Sequence, residues 1–378
     1  MKKAFLILTT LLISFSTMSC NKNYMYPDYD GTEKETPGPG TGEPELPVET
    51  TLTTSIRDLV LIYGGGSDRA QTWNKDAFYP YVAAANNTAY DWMFDGFLFL
   101  ELNDGKGHAF TTGHAPDPAL KVHWQEMIDK YFAENLSIGA LDQCVDGVIQ
   151  KGTTLSRKRR ISIGIPEPIK TATAWGEVNG KMLDFSKDED RITACKWFVD
   201  EVSKKFQERK YNHLELDGFY WIAEEVENTG TMIAAIGDYV QKKTLTFVWI
   251  PWWKSPGYNN YKPYKFTDVY LQPNYFFYDV PYSRLQDACD EAKKFKINLE
   301  IEFSEEVLGG RGQKLYDYLE VFEKNDVYNT MKLAYYQSEN TILRLYQSTN
   351  TADQELYKLL KDIVTKRQKV ENPPYLKN

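Results

Sequence analysis

Residues 213–253 read HLELDGFYWIAEEVENTGTMIAAIGDYVQKKTLTFVWIPWW. His213–Trp221 is a short apolar and aromatic run, which predicts a strand. Thr231–Lys242 predicts a helix, and Leu245–Ile250 a second strand that ends at Pro251. Strand, helix and strand in this order make a parallel crossover unit, whose strands end on the same side of the sheet. The first strand runs out into Glu224 and Glu225, the second into Trp249, Trp252 and Trp253.

The alternation continues in both directions. Upstream lie Asp58–Tyr63, Gly96–Glu101 and Arg160–Ile165; downstream lie Asp268–Leu271, Ile297–Phe303 and Lys332–Tyr336. Helices are predicted at Pro118–Phe132, Gly139–Gln150, Asp190–Arg209, Tyr282–Phe295, Gln313–Lys324 and Ala352–Arg367. Within Asp190–Arg209 the apolar residues Ile192, Cys195, Phe198 and Val199 fall at helix spacing. Eight strands alternating with helices predict an α/β fold, a single closed (β/α)8 barrel over 55–370. An open doubly wound sheet is the competing arrangement. It lacks support, because no Gly-x-Gly-x-x-Gly follows the first strand and no Gly-Lys-Ser/Thr occurs. Gly64–Gly66 reads as a tight turn.

The 378 residues carry a net charge of −9, with 42% hydrophobic and 26% charged residues. This is a globular composition, and its acid excess argues against a nucleic-acid partner. Lys2 and Lys3, the apolar run Ala4–Phe15 and Thr17-Met18-Ser19-Cys20 follow the order of a lipoprotein signal over 1–20, with Cys20 the acylated residue. Residues 21–54, with Pro and Gly alternating in Thr36–Pro44, predict a tether. The expected location is the cell envelope: a monomer lipid-anchored to the outer membrane, periplasmic or surface-facing, with no spanning helix. Cys144, Cys195 and Cys289 lie in helical stretches and are expected to be buried as small hydrophobes.

A barrel of this kind keeps its active site at the C-terminal ends of the strands. Those ends supply Tyr63, Glu101, Glu167, Glu224, Glu225, Gln272, Asn274, Tyr275, Glu300, Glu302 and Tyr336, with Ser67 and Asp68 close behind the first. None carries His. His108, His114 and His123 fall between the second and third strands, so the strand ends offer no paired imidazoles for a catalytic zinc, and no metal or cofactor is expected. Carboxylate pairs with aromatic faces suit glycoside cleavage. Glu224 is the candidate acid/base and Glu302 the candidate nucleophile, with Glu225 and Glu300 as their competitors. Glu300 shares the face of Glu302, because strand periodicity is two. Two glutamates flanking Ile301 in an apolar strand are costly to bury without a role. Trp249, Trp252, Trp253, Tyr63, Tyr275 and Tyr336 are expected to meet sugar rings; Gln272, Asn274, Glu101 and Glu300 are expected to meet hydroxyls. Tyr335, Tyr336, Gln272 and Asn274 are the expected donors to Glu302. Strands four and seven are expected half a ring apart, with carboxyl groups about 5–5.5 Å from one another.

Several of these segments resemble the family called domain of unknown function 4855, lipoproteins of Gram-negative gut anaerobes. They are Leu59–Tyr63, Asp95–Phe99, Gly218-Phe219-Tyr220-Trp221-x-x-Glu224, Trp249-Ile250-Pro251, Gln272–Phe277 and Glu300–Phe303. The resemblance spans nearly all of 56–368 and implies a TIM barrel of the glycoside-hydrolase kind. Glutamates on strands four and seven are also how the large retaining glycosidase clan places its acid/base and nucleophile. That clan has Asn before the acid; here the residue is Ala223. The expectation is a glycoside hydrolase acting on an oligo- or polysaccharide by a retaining mechanism. Its rival is a non-catalytic glycan-binding lipoprotein on the same barrel.

Overall fold

The structure, a computed structural model, describes residues 52–64, 69, 71–86, 89–226, 229 and 232–376. The expected signal, Cys20, most of the tether, Gly65, Gly66, Ser67 and Asp68 lie outside them. Eight parallel strands close into a ring: β1 (Asp58–Tyr63), β2 (Gly96–Leu100), β3 (Arg159–Ile165), β4 (Leu214–Trp221), β5 (Thr246–Trp249), β6 (Asp268–Leu271), β7 (Asn298–Glu302) and β8 (Leu333–Tyr336). Each bonds to its sequence neighbours, and β8 returns to β1 through Asp58↔Leu333 and Val60↔Tyr335. The fold is a (β/α)8 TIM barrel.

The helices between them are α1 (Lys75–Val82), α2 (Lys121–Tyr131), α3 (Ser137–Gln150), α4 (Asp188–Arg209), α5 (Met232–Gln241), α6 (Ser283–Phe295), α7 (Gln313–Lys324), α8 (Val327–Thr330), α9 (Thr341–Gln347) and α10 (Thr351–Lys369). The sequence reading missed α1, α8 and α9. For α1 the reason is Pro80 inside an eight-residue helix, which breaks the periodic signal. Asn74 rescues its start by accepting the Ala77 N–H at 3.0 Å. No helix among the described residues is long and apolar enough to cross a membrane.

Alternation along the strands makes two cores. Leu59, Leu61, Leu98, Leu100, Val248, Tyr270 and Ala334 fill the barrel interior. Val60, Ile62, Phe97, Phe99, Ile161, Ile163 and Phe247 face the helices. Gly218 lets β4 and β5 approach, since a Cβ there would lie 2.1 Å from the Thr246 carbonyl oxygen. A register shift between Leu216 and Gly218 turns Asp217 to Thr246, whose hydroxyl donates to it at 2.7 Å.

The floor of the barrel is plugged by the chain entering β1. Ile56 sits against Gly96, where a Cβ would lie 2.3 Å from its Cγ2. Thr53 Oγ1 and the Thr54 N–H donate to Asp268, both at 2.8 Å. Thr53 and Thr54 therefore belong to the barrel and not to the tether, because they satisfy a buried carboxylate. Cys144, Cys195 and Cys289 are free and buried among the helices; burial pushes the Cys144 and Cys289 thiols up to about 12.

Candidate active site

The two β7 glutamates point into the barrel, as strand periodicity required. Glu300 lies beside Ala334 of the interior core and Glu302 beside Tyr336. They are 1% and 2% exposed. Glu302 is held by donors from two elements. The Asn274 N–H reaches Oε2 at 2.6 Å, the Tyr318 hydroxyl reaches the same oxygen at 2.7 Å, and Asn274 Nδ2 reaches Oε1 at 3.3 Å. Glu302 is the acceptor in all three bonds. Asn274 can serve twice because its backbone is left-handed (φ 50°), a conformation Asn tolerates. Its Oδ1 accepts the Trp253 N–H at 2.6 Å, and its Nδ2 also donates to Gln272 Oε1 at 3.1 Å. Gln272 in turn donates to the Ile250 carbonyl at 3.0 Å. The end of β5 is thus tied through the end of β6 to the carboxylate on β7.

Glu224 follows β4 and is half-buried. Its backbone is fixed on both sides: Trp249 Nε1 donates to the Ala223 carbonyl at 2.9 Å, and Ser255 Oγ to the Glu224 carbonyl at 2.7 Å. Three tyrosines lie within its electrostatic reach. Tyr278 is pushed up to about 12 by burial, then by Glu302 and Glu224 together. Tyr220 is raised by burial, then by Glu224, with Tyr63 and Glu300 adding to it. Tyr63 is raised by burial, then by Tyr336, with smaller contributions from Glu224 and Glu300. The strand-four and strand-seven glutamates therefore act on shared phenols. The expectation of opposed strands is corrected: the ring order leaves β5 and β6 between β4 and β7 on one side and four strands on the other.

An aromatic rim stands above this layer. Tyr336 meets Tyr63 and Phe277 edge-on, with centroids 6.1 and 5.6 Å apart. The Arg69 guanidinium lies 3.7 Å from the Tyr63 ring centroid. Lys314 of α7 pins the loop that carries Phe277 and Tyr278, donating to the carbonyls of Tyr275, Phe276 and Tyr278 at 2.7–3.0 Å. Trp252 and Trp253 are half-buried beside Glu224's loop, and one face of Trp253 holds Arg284 at 4.7 Å.

Four expected residues are elsewhere. Trp249 is fully buried on the helix side, stacked on Phe266 at 4.9 Å, because odd and even positions of β5 face opposite layers. Tyr275 turns toward α7 and donates to Asp317 at 2.6 Å. Tyr335 faces the helices and donates to Asp58 at 2.7 Å, at the floor. Glu101 points away from the interior residues Leu100 and Leu102, into a small cavity against α2. Tyr318, Tyr278, Phe277 and Lys314 were not singled out in sequence. Tyr318 and Lys314 lie on a helix that reads as an ordinary amphipathic one. His108 and His123, in the segment between β2 and α2 rather than at a strand end, stack with centroids 3.7 Å apart.

Solved structures with similar folds include a putative alpha-L-fucosidase from Bacteroides thetaiotaomicron, at 12% identity and a TM-score of 0.38, covering 71% of this chain and 81% of that one. A GH10 endoxylanase from a sugarcane soil metagenome gives 9% identity and a TM-score of 0.41, covering 81% and 96%. The tryptophan synthase alpha-subunit of Pyrococcus furiosus gives 11% and 0.38, covering 81% and 97%. These likenesses concern the barrel alone. No curated protein matches the sequence. Residues 58–362 match the family described as "Domain of unknown function (DUF4855)", and the chain belongs to that family.

Proposed function

We propose that this protein is a glycoside hydrolase in which Glu302 is the nucleophile and Glu224 the acid/base. The observation that carries the reading is the grip on Glu302. Asn274 and Tyr318 donate to the carboxylate at the end of β7, and Tyr278 lies within electrostatic reach of both it and Glu224. A nucleophilic carboxylate must be oriented and ionised, and its partner must deliver a proton to the leaving oxygen. Tyr63, Tyr336, Phe277, Trp252 and Trp253 supply the apolar faces that sugar rings stack on. Glu300, beneath Glu302, contributes negative charge that suits an oxocarbenium-like state.

The test is turnover on aryl glycosides and on a panel of oligosaccharides. Glu302→Ala is expected to lower turnover by ~10⁴-fold, the scale set by loss of a covalent nucleophile, and azide to restore it in part. Glu224→Ala is expected to spare substrates with activated leaving groups. If the wild type turns over nothing on the panel, or Glu302→Ala keeps its rate, the reading fails. A second reading, a non-catalytic glycan binder, draws support from the 2% exposure of Glu302. It predicts oligosaccharide binding that Glu302→Ala leaves intact, without turnover.

The order of charged, apolar and small residues before Cys20 supports anchoring of the enzyme to the cell envelope by acylation there. Cys20→Ala should move the protein from the membrane fraction to the soluble one; retention in the carbonate-washed pellet would refute it.

A further inference from the structure

The segment between β2 and α2, which the proposed chemistry does not use, brings a carboxylate and two imidazoles together. Asp104 and His108 lie in the loop after β2, and His123 lies in the first turn of α2. Ligand atoms of the three lie within 4.8 Å of one another. His108 Nδ1 is 2.5 Å from Asp104 Oδ2. The loop is built to hold this arrangement. Asp104 Oδ1 accepts the Lys106 and His108 N–H groups at 2.7 and 2.9 Å, and Gly105 and Gly107 turn the chain with φ of 77° and 105°. His108–Ala109 then pairs with Asp117–Pro118.

Beside the cluster is a cavity of about 10 Å³, room for one small ion or water. Glu101, Asp104, His123, Glu126 and Tyr131 line it, with Gly64 at one wall. A Cβ on Gly64 would stand 2.9 Å from Tyr131 Cε1 and 3.1 Å from Glu101 Oε1, so glycine keeps the space open. Tyr131 is 1% exposed, and its hydroxyl has no hydrogen-bond partner among the described residues. A buried hydroxyl in that position calls for an occupant of the cavity.

We infer that Asp104, His108 and His123 form a binding site for a divalent transition-metal ion of the zinc class, whose bound water faces Tyr131. Two imidazoles and a carboxylate suit zinc or cobalt better than calcium or magnesium, which take oxygen ligands. Glu101 and Glu126 bring negative charge to the cavity wall, set against Lys130 on the same wall and Lys106, which pairs with Glu126 at 3.4 Å. His123 Nδ1 accepts the Leu120 N–H at 3.0 Å, so an ion taking that nitrogen displaces the bond. The N–H lies at the half-buried start of α2, where water can take it over. The ion would tie the loop after β2 to α2, next to Gly64 behind the end of β1.

The test uses the full chain without a histidine tag, stripped by chelation and titrated with Zn²⁺ and Co²⁺. Expected are about one ion per chain, a visible Co²⁺ band of nitrogen–oxygen coordination and a raised melting temperature. His123→Ala and Asp104→Asn should each weaken binding by about tenfold or more. Gly64→Ala, which fills the cavity and removes no ligand, should weaken it too. If His123→Ala fails to fold by circular dichroism, His123→Gln decides. The site is refuted if the stripped protein takes up neither ion, if only Ca²⁺ or Mg²⁺ binds, or if the folded His123 variants bind as the wild type does.

Discussion

The floor and the mouth of this barrel both bury carboxylates, but they satisfy them with different chemistry. At the floor the partners are cations. Asp268 meets Lys332 at 2.6 Å, Asp58 meets Arg367 at 2.7 Å, Asp95 meets Arg157 at 2.8 Å and Asp217 meets Arg160 at 3.3 Å. Arg367 also donates to the Arg57 and Met331 carbonyls, and Arg57 to the carbonyls of Arg367 and Glu371, so α10 is locked to the start of β1. At the mouth, amide groups of Asn274 and the Tyr318 phenol donate to Glu302, and the Arg284 guanidinium lies within its electrostatic reach. A salt bridge neutralises a carboxylate and ends its chemistry. Hydrogen bonds from neutral donors orient a carboxylate without neutralising it. The contrast teaches that ion pairs close the floor, while at the mouth hydrogen bonds from an amide and a phenol set the direction of a carboxylate.

Substitutions can break this comparison. The largest effect on stability is expected at the floor. Lys332→Met leaves Asp268 buried without its cation, and loss of one partner of a buried pair costs ~3–5 kcal/mol. Urea denaturation should show that loss, while the folded fraction keeps its ligand affinity. A loss below about 1 kcal/mol would mean that Thr53 and Thr54 alone satisfy Asp268.

A smaller and differently distributed effect is expected at the mouth. Tyr318→Phe deletes one donor to a charged acceptor, worth ~1.5–3 kcal/mol. If the mouth serves catalysis, much of this appears as a 10- to 150-fold fall in turnover, with a modest change in the urea midpoint. If it appears wholly in stability, the grip on Glu302 is structural and the contrast between floor and mouth collapses.

The smallest effect sharpens the account of the floor. Burial raises the Asp217 carboxyl above its ordinary value of 3.8, against the lowering effects of the Thr246 hydroxyl and Arg160. A raised folded-state value means that the folded chain holds this proton more tightly than the unfolded one. The corresponding stability is fully present below about pH 3.8 and is lost as pH rises through the folded value. Asp217→Asn should therefore raise the urea midpoint at pH 7, with a gain that shrinks as the pH falls toward 3.8. A destabilised variant at pH 7 would show that the Arg160 contact outweighs burial.

Much of the barrel was legible because strands and helices announce themselves by local periodicity. Asp58–Tyr63 and Asp268–Leu271 fall where their apolar runs lie, and α7 occupies the predicted Gln313–Lys324. The strand-end rule then brought Glu224, Glu302, Gln272, Asn274, Tyr63 and Tyr336 into view. It failed at Trp249 and Glu101, where a residue at the right height on a strand faces the wrong layer. Parity past the last ladder bond depends on how each loop departs, and an apolar run does not encode that departure.

The sequence by itself determined the number and order of the strands, the inward face of Glu300 and Glu302, and the burial of the three cysteines. These follow from period-two and period-3.6 patterning, which each segment carries alone. Only the tertiary structure decided which donors reach Glu302, which tyrosines lie within reach of glutamates from both strands, and that His108 and His123 stack. Tyr318 reaches Glu302 from α7, Asn274 from the loop after β6, and His123 meets His108 across a loop closed by two left-handed glycines. Such meetings depend on ring closure and on loop geometry, where side chains distant in sequence share one dry space.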